Sequence, residues 1–190
     1  MTKAPPSAKS LATRQRISEA AQKLFGEVGY QRTTVRAVAD RAAINPALVI
    51  RYFGSKEGLF AAAARFDLKL PDLKTVSKKK RGSFLARHLL ERWEGPEAGD
   101  ALPALLAVAI THPDGRRRLA KILKDQLEPA VAAVVAPHAA GGCAALIATQ
   151  AIGLAFTRYV LKLPPVVDLS HEEIVTFIGS TFQRYLEIDS

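Results

Sequence analysis

Thr34, Arg36, Asn45, Arg51, Tyr52 and Lys56 bring hydroxyl, amide, phenol and cationic groups close together in one short stretch of the chain. These residues include no nucleophile beside a base and no metal-ligand spacing. They are donors of the kind that meet phosphate oxygens and base edges in nucleic acid. The elements needed to position them can be read around them. Thr33 and Thr34 offer a hydroxyl at a helix start, and Val35, Val38 and Ala39 then fall on one helical face. Asn45 is a good N-cap and Pro46 a good first helical residue, so a second short helix follows at once. Val49 and Phe53 give it a narrow apolar seam, and Gly54-Ser55 ends it and caps the next helix. Two short helices joined by a tight turn follow the plan of a helix-turn-helix, whose second helix can enter the major groove.

With Val49 and Phe53 inward, a turn of about 100° per residue points Ala47 and Arg51 outward and puts Leu48 and Ile50 on the flanks. Leu48 and Ile50 suit thymine methyl groups better than water. The expected base contacts are therefore Ala47, Leu48, Arg51 and Asn45, and the expected phosphate contacts are Thr34, Arg36, Tyr52 and Lys56. The competing reading is the corner of an ordinary helical bundle with solvated charges outside.

From about Thr13 to Ala63 the chain resembles the DNA-binding domain of TetR-family transcriptional repressors. The residues that carry the likeness are Gly29-Tyr30 closing helix one, Thr33-Thr34-Val35-Arg36 opening helix two, and Tyr52-Phe53-Gly54-Ser55-Lys56-Glu57-Gly58-Leu59 leading into helix four. Two positions depart from the family pattern. Ala43 stands in the turn where Gly is common, at a left-handed backbone position that Gly adopts freely. Ile50 stands where a phosphate-binding Tyr is usual. The resemblance implies dimerisation through the last two helices, and a cavity within helices four to eight whose occupant changes the separation of two DNA-binding heads.

The net charge of +9 is uneven: residues 1–60 hold ten Lys/Arg and four Asp/Glu, a net of +6. An N-terminal head that binds a polyanion has this distribution. A lone cysteine, Cys143, excludes an internal disulfide and suits a reducing cytoplasm, where it reads as a small buried hydrophobe. The N-terminus lacks the apolar core of a secretory signal. No apolar run approaching about 18 residues is expected to span a membrane.

The fold expected is all-α, with about nine helices: a disordered tail over 1–10, a three-helix helix-turn-helix domain over 11–54, and an effector-binding and dimerisation bundle over 55–190. Lys3, Lys9 and Arg14 are candidates to track the minor groove. Ile17, Leu24, Phe25, Val35, Val38, Ile44, Val49 and Phe53 are the expected core of the head. Helix four is expected over 55–70, ended by Pro71. A mobile loop with Lys78, Lys79, Lys80 and Arg81 exposed follows over 71–82. Helix five is expected over 83–94 with Phe84, Leu85, Leu89 and Trp93 inward, and helix six over 99–111. Helix seven should run over 113–135 with a kink at Pro129, helix eight over 139–163, and helix nine over 171–187 behind a Ser170/Glu173 capping box.

The resemblance places an effector pocket at Phe66, Leu89, Trp93, Leu105, Ala109, Ile122 and Leu154, with His88, His112, Gln126, Gln150 and Thr157 as polar groups. Its apolar lining favours an apolar or aromatic effector. The dimer face is expected at Ala151, Ala155, Ile174, Phe177, Ile178, Thr181, Phe182 and Tyr185. The partners that follow are an operator in double-stranded DNA, a small effector and a second copy of the chain, with no cofactor and no membrane. Two rival classes are an architectural protein that binds DNA through charge alone and an enzyme. For the enzyme, His88, His112, His138 and His171 fall in separate segments without metal-ligand spacing, and no Gly-rich phosphate loop follows a strand.

Overall fold

The computed structural model describes residues 8–63, 66–95 and 101–188, with Ala101 described by its backbone alone. Every regular element among them is helical. In chain order these are α1 (Ala8–Arg32), α2 (Val35–Arg41), α3 (Pro46–Phe53), α4 (Lys56–Ala63), α5 (Arg81–Glu94), α6 (Ala101–Thr111), α7 (Pro113–Ile122), α8 (Glu128–Ala132), α9 (Ala140–Ala155), α10 (Pro164–Val167) and α11 (His171–Leu186). The chain divides into two compact units, residues 1–65 with 108–118 and residues 66–107 with 119–190. The end of α6 and the start of α7 thus cluster with the first four helices.

In the N-terminal unit, α1 buries Ile17, Ala20 and Ala21, with Leu24 and Phe25 packed alongside. They meet Val38, Val49 and Phe53, as expected from helical periodicity, joined by Ala39, Leu59 and Ala63, while Val35 and Ile44 are only partly buried against this core. Gly29 leaves helical geometry at φ 79, ψ 169, and the Thr33 hydroxyl donates to its carbonyl at 2.8 Å. Phe25, Tyr30 and Phe60 form an aromatic cluster across this corner, with centroids 4.9 to 5.9 Å apart. Lys9 and Ser10, expected in the tail, lie inside α1, whereas Lys3 falls outside the described residues. Arg14 is 5.4 Å from the Phe53 ring centroid, a contact with its own chain.

The C-terminal unit is organised on a close crossing of α5 and α11. A Cβ placed on Gly82 would lie 2.3 Å from the Gly179 oxygen and 2.4 Å from the Gln183 nitrogen, so the two backbones touch. Gln183 accepts from the Gly82 N–H at 2.8 Å and donates to the Lys78 carbonyl at 2.9 Å. Arg81 Nε donates to the Leu73 carbonyl at 3.0 Å. The segment expected as a mobile loop over 71–82 is therefore ordered into two 3-10 turns, Leu73–Thr75 and Lys78–Lys80, although the three lysines are exposed as expected. Phe84 is 40% exposed rather than inward, because Gly82, Leu85, Ala86, Leu89 and Leu90 form the buried side of α5.

Three other helices depart from expectation. Helix four does not reach residue 70, since residues 66–70 are not helical and Lys69 has φ 46. The kink expected at Pro129 takes the form of a π turn over Leu123–Leu127 just upstream. Pro129 has no N–H to offer the Asp125 carbonyl four residues back, and just before it the Glu128 N–H bonds Leu123 O, five residues back. The long eighth helix is α9 followed by another π turn, Phe156–Val160; the chain reverses at Lys162 (φ 51), and Pro164-Pro165 opens the unexpected α10. The 21-residue stretch Ala140–Val160 is, contrary to expectation, long and apolar enough to cross a membrane, with mean hydropathy 1.5 over an 18-residue window. Cys143, Ala144, Ile147, Ala148, Ala151 and Ala155 on it are buried within the C-terminal unit. The capping box before α11 forms as read, between Ser170 and Glu173.

Glu94 ties α5 to both ends of this region. Its carboxylate accepts from Arg158 Nε at 2.8 Å and Tyr159 Oη at 2.7 Å, and lies 2.5 Å from His171 Nε2. Arg158 also donates to the carbonyls of Val166, Val167 and Leu169, pinning α10. Burial works against the Glu94 charge, but the bonds from Tyr159, His171 and Arg158 outweigh it and hold the carboxyl at about 2.

Two outcomes follow. Gly82→Ala lowers the urea or thermal midpoint markedly, whereas Gly26→Ala, with nothing within 4 Å of its new Cβ, raises stability by roughly 0.5–1 kcal/mol. Because the folded pKa of Glu94 is depressed, its stabilisation is complete above the ordinary 4.5 and lost as pH falls toward about 2. Paired urea melts of wild type and Glu94→Gln across this window show a gap that closes with acid.

Candidate nucleic-acid interface and apolar cavity

The second helix of the motif, α3, is fixed at its start by local chemistry. Asn45 Oδ1 accepts from the Ala47 N–H at 2.8 Å, and Pro46 occupies the first turn. Val49 and Phe53 bury into the N-terminal core, with Tyr52 half-buried beside them. Ala47, Ile50 and Arg51 are exposed, and Leu48 is half-buried. Ile50, 45% exposed, and the exposed Arg51 beside it mark the outer face of α3. In α2, Thr34 Oγ1 accepts from the Ala37 N–H at 3.0 Å, and Arg36 is exposed. The acceptors of Thr34 and Asn45 are thus spent on helix caps, leaving the Thr34 O–H and the Asn45 NH₂ as donors. Neither Arg36 nor Arg51 has an ion pair among the described residues.

The turn between α2 and α3 is closed by backbone bonds from Ala43 N to Asp40 O (3.1 Å) and from Ile44 N to Ala39 O (3.0 Å). This helix ending needs a left-handed residue, and Ala43 supplies it at φ 51. Gly54, at φ 77, makes the next turn without a Cβ penalty. Beyond it, Ser55 Oγ accepts from the Gly58 N–H at 3.1 Å and starts α4. Lys56 Nζ donates to the Gln31 carbonyl at 3.1 Å and lies 4.4 Å from the Tyr30 ring centroid. Tyr30 Oη donates to Glu57 Oε1 at 3.0 Å. Burial, then this carboxylate, raise the Tyr30 phenol to about 12. Glu57 is in turn held below its ordinary value, chiefly by its own backbone N–H and then by Ser55. This Tyr30-Lys56-Glu57 clamp between the end of α1 and the start of α4 was missed in the sequence, where Lys56 reads only as a phosphate contact.

The C-terminal unit holds a separate apolar cavity of about 40 Å³. Phe66, Leu89, Trp93 and Ile122 line it as expected, joined by Leu68, Leu102, Leu106, Leu119, Leu123, Leu127, Ala148, Ala151, Ile152 and Ala155. Leu105, Ala109, Leu154, His88, Gln126, Gln150 and Thr157 do not line it. Ala109 and His112 cluster with the N-terminal unit, and His112 Nδ1 accepts from the Asp114 N–H. Leu154 packs with Leu90, Ile174 and Val175, and Thr157 bonds the Gly153 carbonyl of its own helix. His88 and Gln126 bond the backbone of residues 66–68. Trp93 Nε1 is buried with no hydrogen-bond partner among the described residues, at a cost of about 1–3 kcal/mol.

The expected dimer face needs a similar correction. Ala151, Ala155, Ile174 and Phe182 are buried inside their own unit, and Ile178 packs against its core. Phe177 is 66% exposed, and Thr181 and Tyr185 are half-buried. On α9, Leu146 and Thr149 are exposed, and Gly142 and Gly153 have open space where a Cβ would be.

Comparison with known proteins agrees with this geometry. The family described as "Tetracyclin repressor-like, C-terminal domain" matches residues 80–186, and "Bacterial regulatory proteins, tetR family" matches residues 17–63. The HTH-type transcriptional repressor AcnR of Corynebacterium efficiens is 39% identical over 59 residues, 31% of each chain. The HTH-type regulatory protein RaaS of Mycobacterium tuberculosis is 46% identical over 56 residues, 30% of this chain and 26% of that protein. These curated relatives are thus matched over less than a third of their length. A TetR-family regulator from Streptomyces coelicolor A3 superposes over 97% of this chain and 99% of its own, with TM-score 0.53 and 26% identity. The multidrug binding protein EbrR, solved with imidazole, shares the fold at TM-score 0.60 and 21% identity, over 92% of this chain and 89% of its own.

The left-handed Ala43 gives a direct test of the turn. Ala43→Gly relieves the Cβ clash and raises stability by about 1 kcal/mol, read as a higher urea midpoint.

Proposed function

The chain belongs to the TetR family of bacterial regulatory proteins and is a DNA-binding regulator of transcription, not an enzyme; we propose that it is a homodimeric repressor, released from a near-palindromic operator by a small apolar effector. The observation that carries the DNA contacts is α3, anchored chiefly through Val49 and Phe53, with Ala47, Ile50 and Arg51 turned outward. On this reading Ala47, Leu48, Arg51 and the Asn45 amide meet base edges, and Thr34, Arg36, Tyr52 and Lys56 meet phosphates. Ile50 takes the place of the usual phenol with a methyl-bearing surface that suits thymine. Lys56, held over Tyr30, presents its charge in a fixed place instead of on a free side chain.

The second copy is proposed to dock on the outer faces of α9 and α11. Phe177 is a large apolar side chain with little cover, and the open glycines Gly142 and Gly153 permit close helix approach. Two-fold pairing presents two α3 helices to successive major grooves, about 34–36 Å apart. The effector is assigned to the carbon-lined cavity bounded by Phe66, Leu89, Trp93 and Ile122. A switch requires that it bind the two states of the dimer with different affinity.

The test is competition binding at fixed salt, using an operator selected from a random duplex pool. Wild type prefers that operator over random duplex by roughly 10³-fold or more. Arg51→Ala weakens binding and flattens that preference, whereas Lys56→Ala weakens operator and random duplex about equally. Equal affinity of wild type for both duplexes supports the architectural reading instead.

A further inference from the structure

Twelve of the fourteen side chains that line the apolar cavity stand on α5, α6, α7, α9 or the π turn Leu123–Leu127. Phe66 and Leu68 do not. They belong to a non-helical strap in which Phe66 and Leu68 are buried while Asp67 and Lys69 are exposed, the alternation of an extended chain. Among the described residues no neighbouring strand completes its hydrogen bonds. Side chains do so instead: Gln126 Oε1 accepts from the Leu68 N–H at 2.7 Å, and Gln126 Nε2 donates to the Phe66 carbonyl at 3.2 Å. His88 Nε2 lies 2.8 Å from the Leu68 carbonyl, and Arg92 donates to the Asp67 carbonyl at 2.8 and 3.1 Å. The strap is thus gripped much as a protein grips an extended peptide ligand.

We propose that the strap Phe66–Lys69 is a built-in occupant of the cavity, and that an uncharged apolar ligand enters by displacing Phe66 and Leu68. The cavity of about 40 Å³ is far below the roughly 300 Å³ of a small-molecule site, so a guest must enlarge it. Moving a helical wall disturbs side-chain packing along the whole length of that helix. Lifting the strap gives up the side-chain bonds from Gln126, His88 and Arg92, whose polar groups water can then satisfy, and the burial of Phe66 and Leu68, whose place in the cavity the guest takes. Segments held in this way open locally before packed helices do. Gln126 and His88 therefore act as positioning residues that hold the chain's own plug, not as groups that orient a guest. The strap begins three residues after Ala63, the last described residue of α4. This inference rests on the effector reading only for its link to DNA release; the displacement itself is independent of it.

The test uses the full-length protein and bromobenzene, an uncharged aromatic quencher, followed by the emission of Trp93, the single tryptophan, which lines the cavity. Gln126→Ala loosens the plug, enlarges the fraction of protein competent to bind, and tightens bromobenzene by roughly fivefold or more. In wild type, saturation with bromobenzene accelerates hydrogen exchange at the Leu68 amide while amides within α5 and α9 keep their rates. Weaker or unchanged binding by Gln126→Ala, a slowed or unchanged Leu68 amide, or no binding to either protein overturns the proposal. The exchange arm needs no variant, so it decides the matter if Gln126→Ala does not fold. Accelerated Leu68 exchange without any change in operator affinity upholds the plug and rejects the effector reading.

Discussion

The DNA-binding reading of this protein depends on how little holds α3. An eight-residue helix is too short to persist alone, since helix nucleation is costly and short isolated helices are marginal. Its stability comes from two apolar side chains, Val49 and Phe53, sunk among Ile17, Ala21, Val38 and Ala39, and from the caps at Asn45 and Gly54. Tyr52 packs alongside them, while Ala47, Ile50 and Arg51 stay exposed and Leu48 is half-buried. The helix is kept in place by its ends and one seam, and its outward face stays open. The same economy explains the surrounding clamps: Tyr30, Lys56 and Glu57 fix the start of α4, where α3 itself offers no further grip.

The head of the protein was readable because its signals are local. Thr34 and Asn45 cap the helices they precede, Pro46 opens α3, and each act is completed within a few residues. Apolar spacing over Ile17, Val38, Val49 and Phe53 reports one face of each helix, and those faces meet. The left-handed turn at Ala43 was visible through the glycine it replaces. By contrast, the Tyr30–Glu57 bond joins residues whose chemistry is generic until the fold brings them together.

The C-terminal unit was less legible for physical reasons. Residues 66–70 have good helix formers, and the helix is lost because Gln126, His88 and Arg92 offer the backbone better partners from distant positions. The local sign was Pro71, which disfavours helix at Leu70, but it did not locate the break at residue 66. Pro129 announced a disturbance in the helix expected over 113–135, although not that the backbone would absorb it as a π turn. Periodicity alone does not say which of two apolar faces on α9 and α11 closes the unit. Ala151, Ala155, Ile174 and Phe182 close it, leaving Phe177 and Leu146 outside. A pocket list drawn from apolar helix positions therefore named four lining residues and missed the alanines of α9.

The two units divide the work by chemistry: a cationic head whose outer helix is polar at its ends, and a carbon-filled body with a plugged cavity. The most direct measurement of the central claim is a hydroxyl-radical and methylation footprint of the full-length protein on its selected operator. The account predicts two protected major-groove patches centred about 10–10.5 base pairs apart, or a whole number of turns apart, each lost together at the same protein concentration. A single patch, or uniform protection along the duplex, would contradict it.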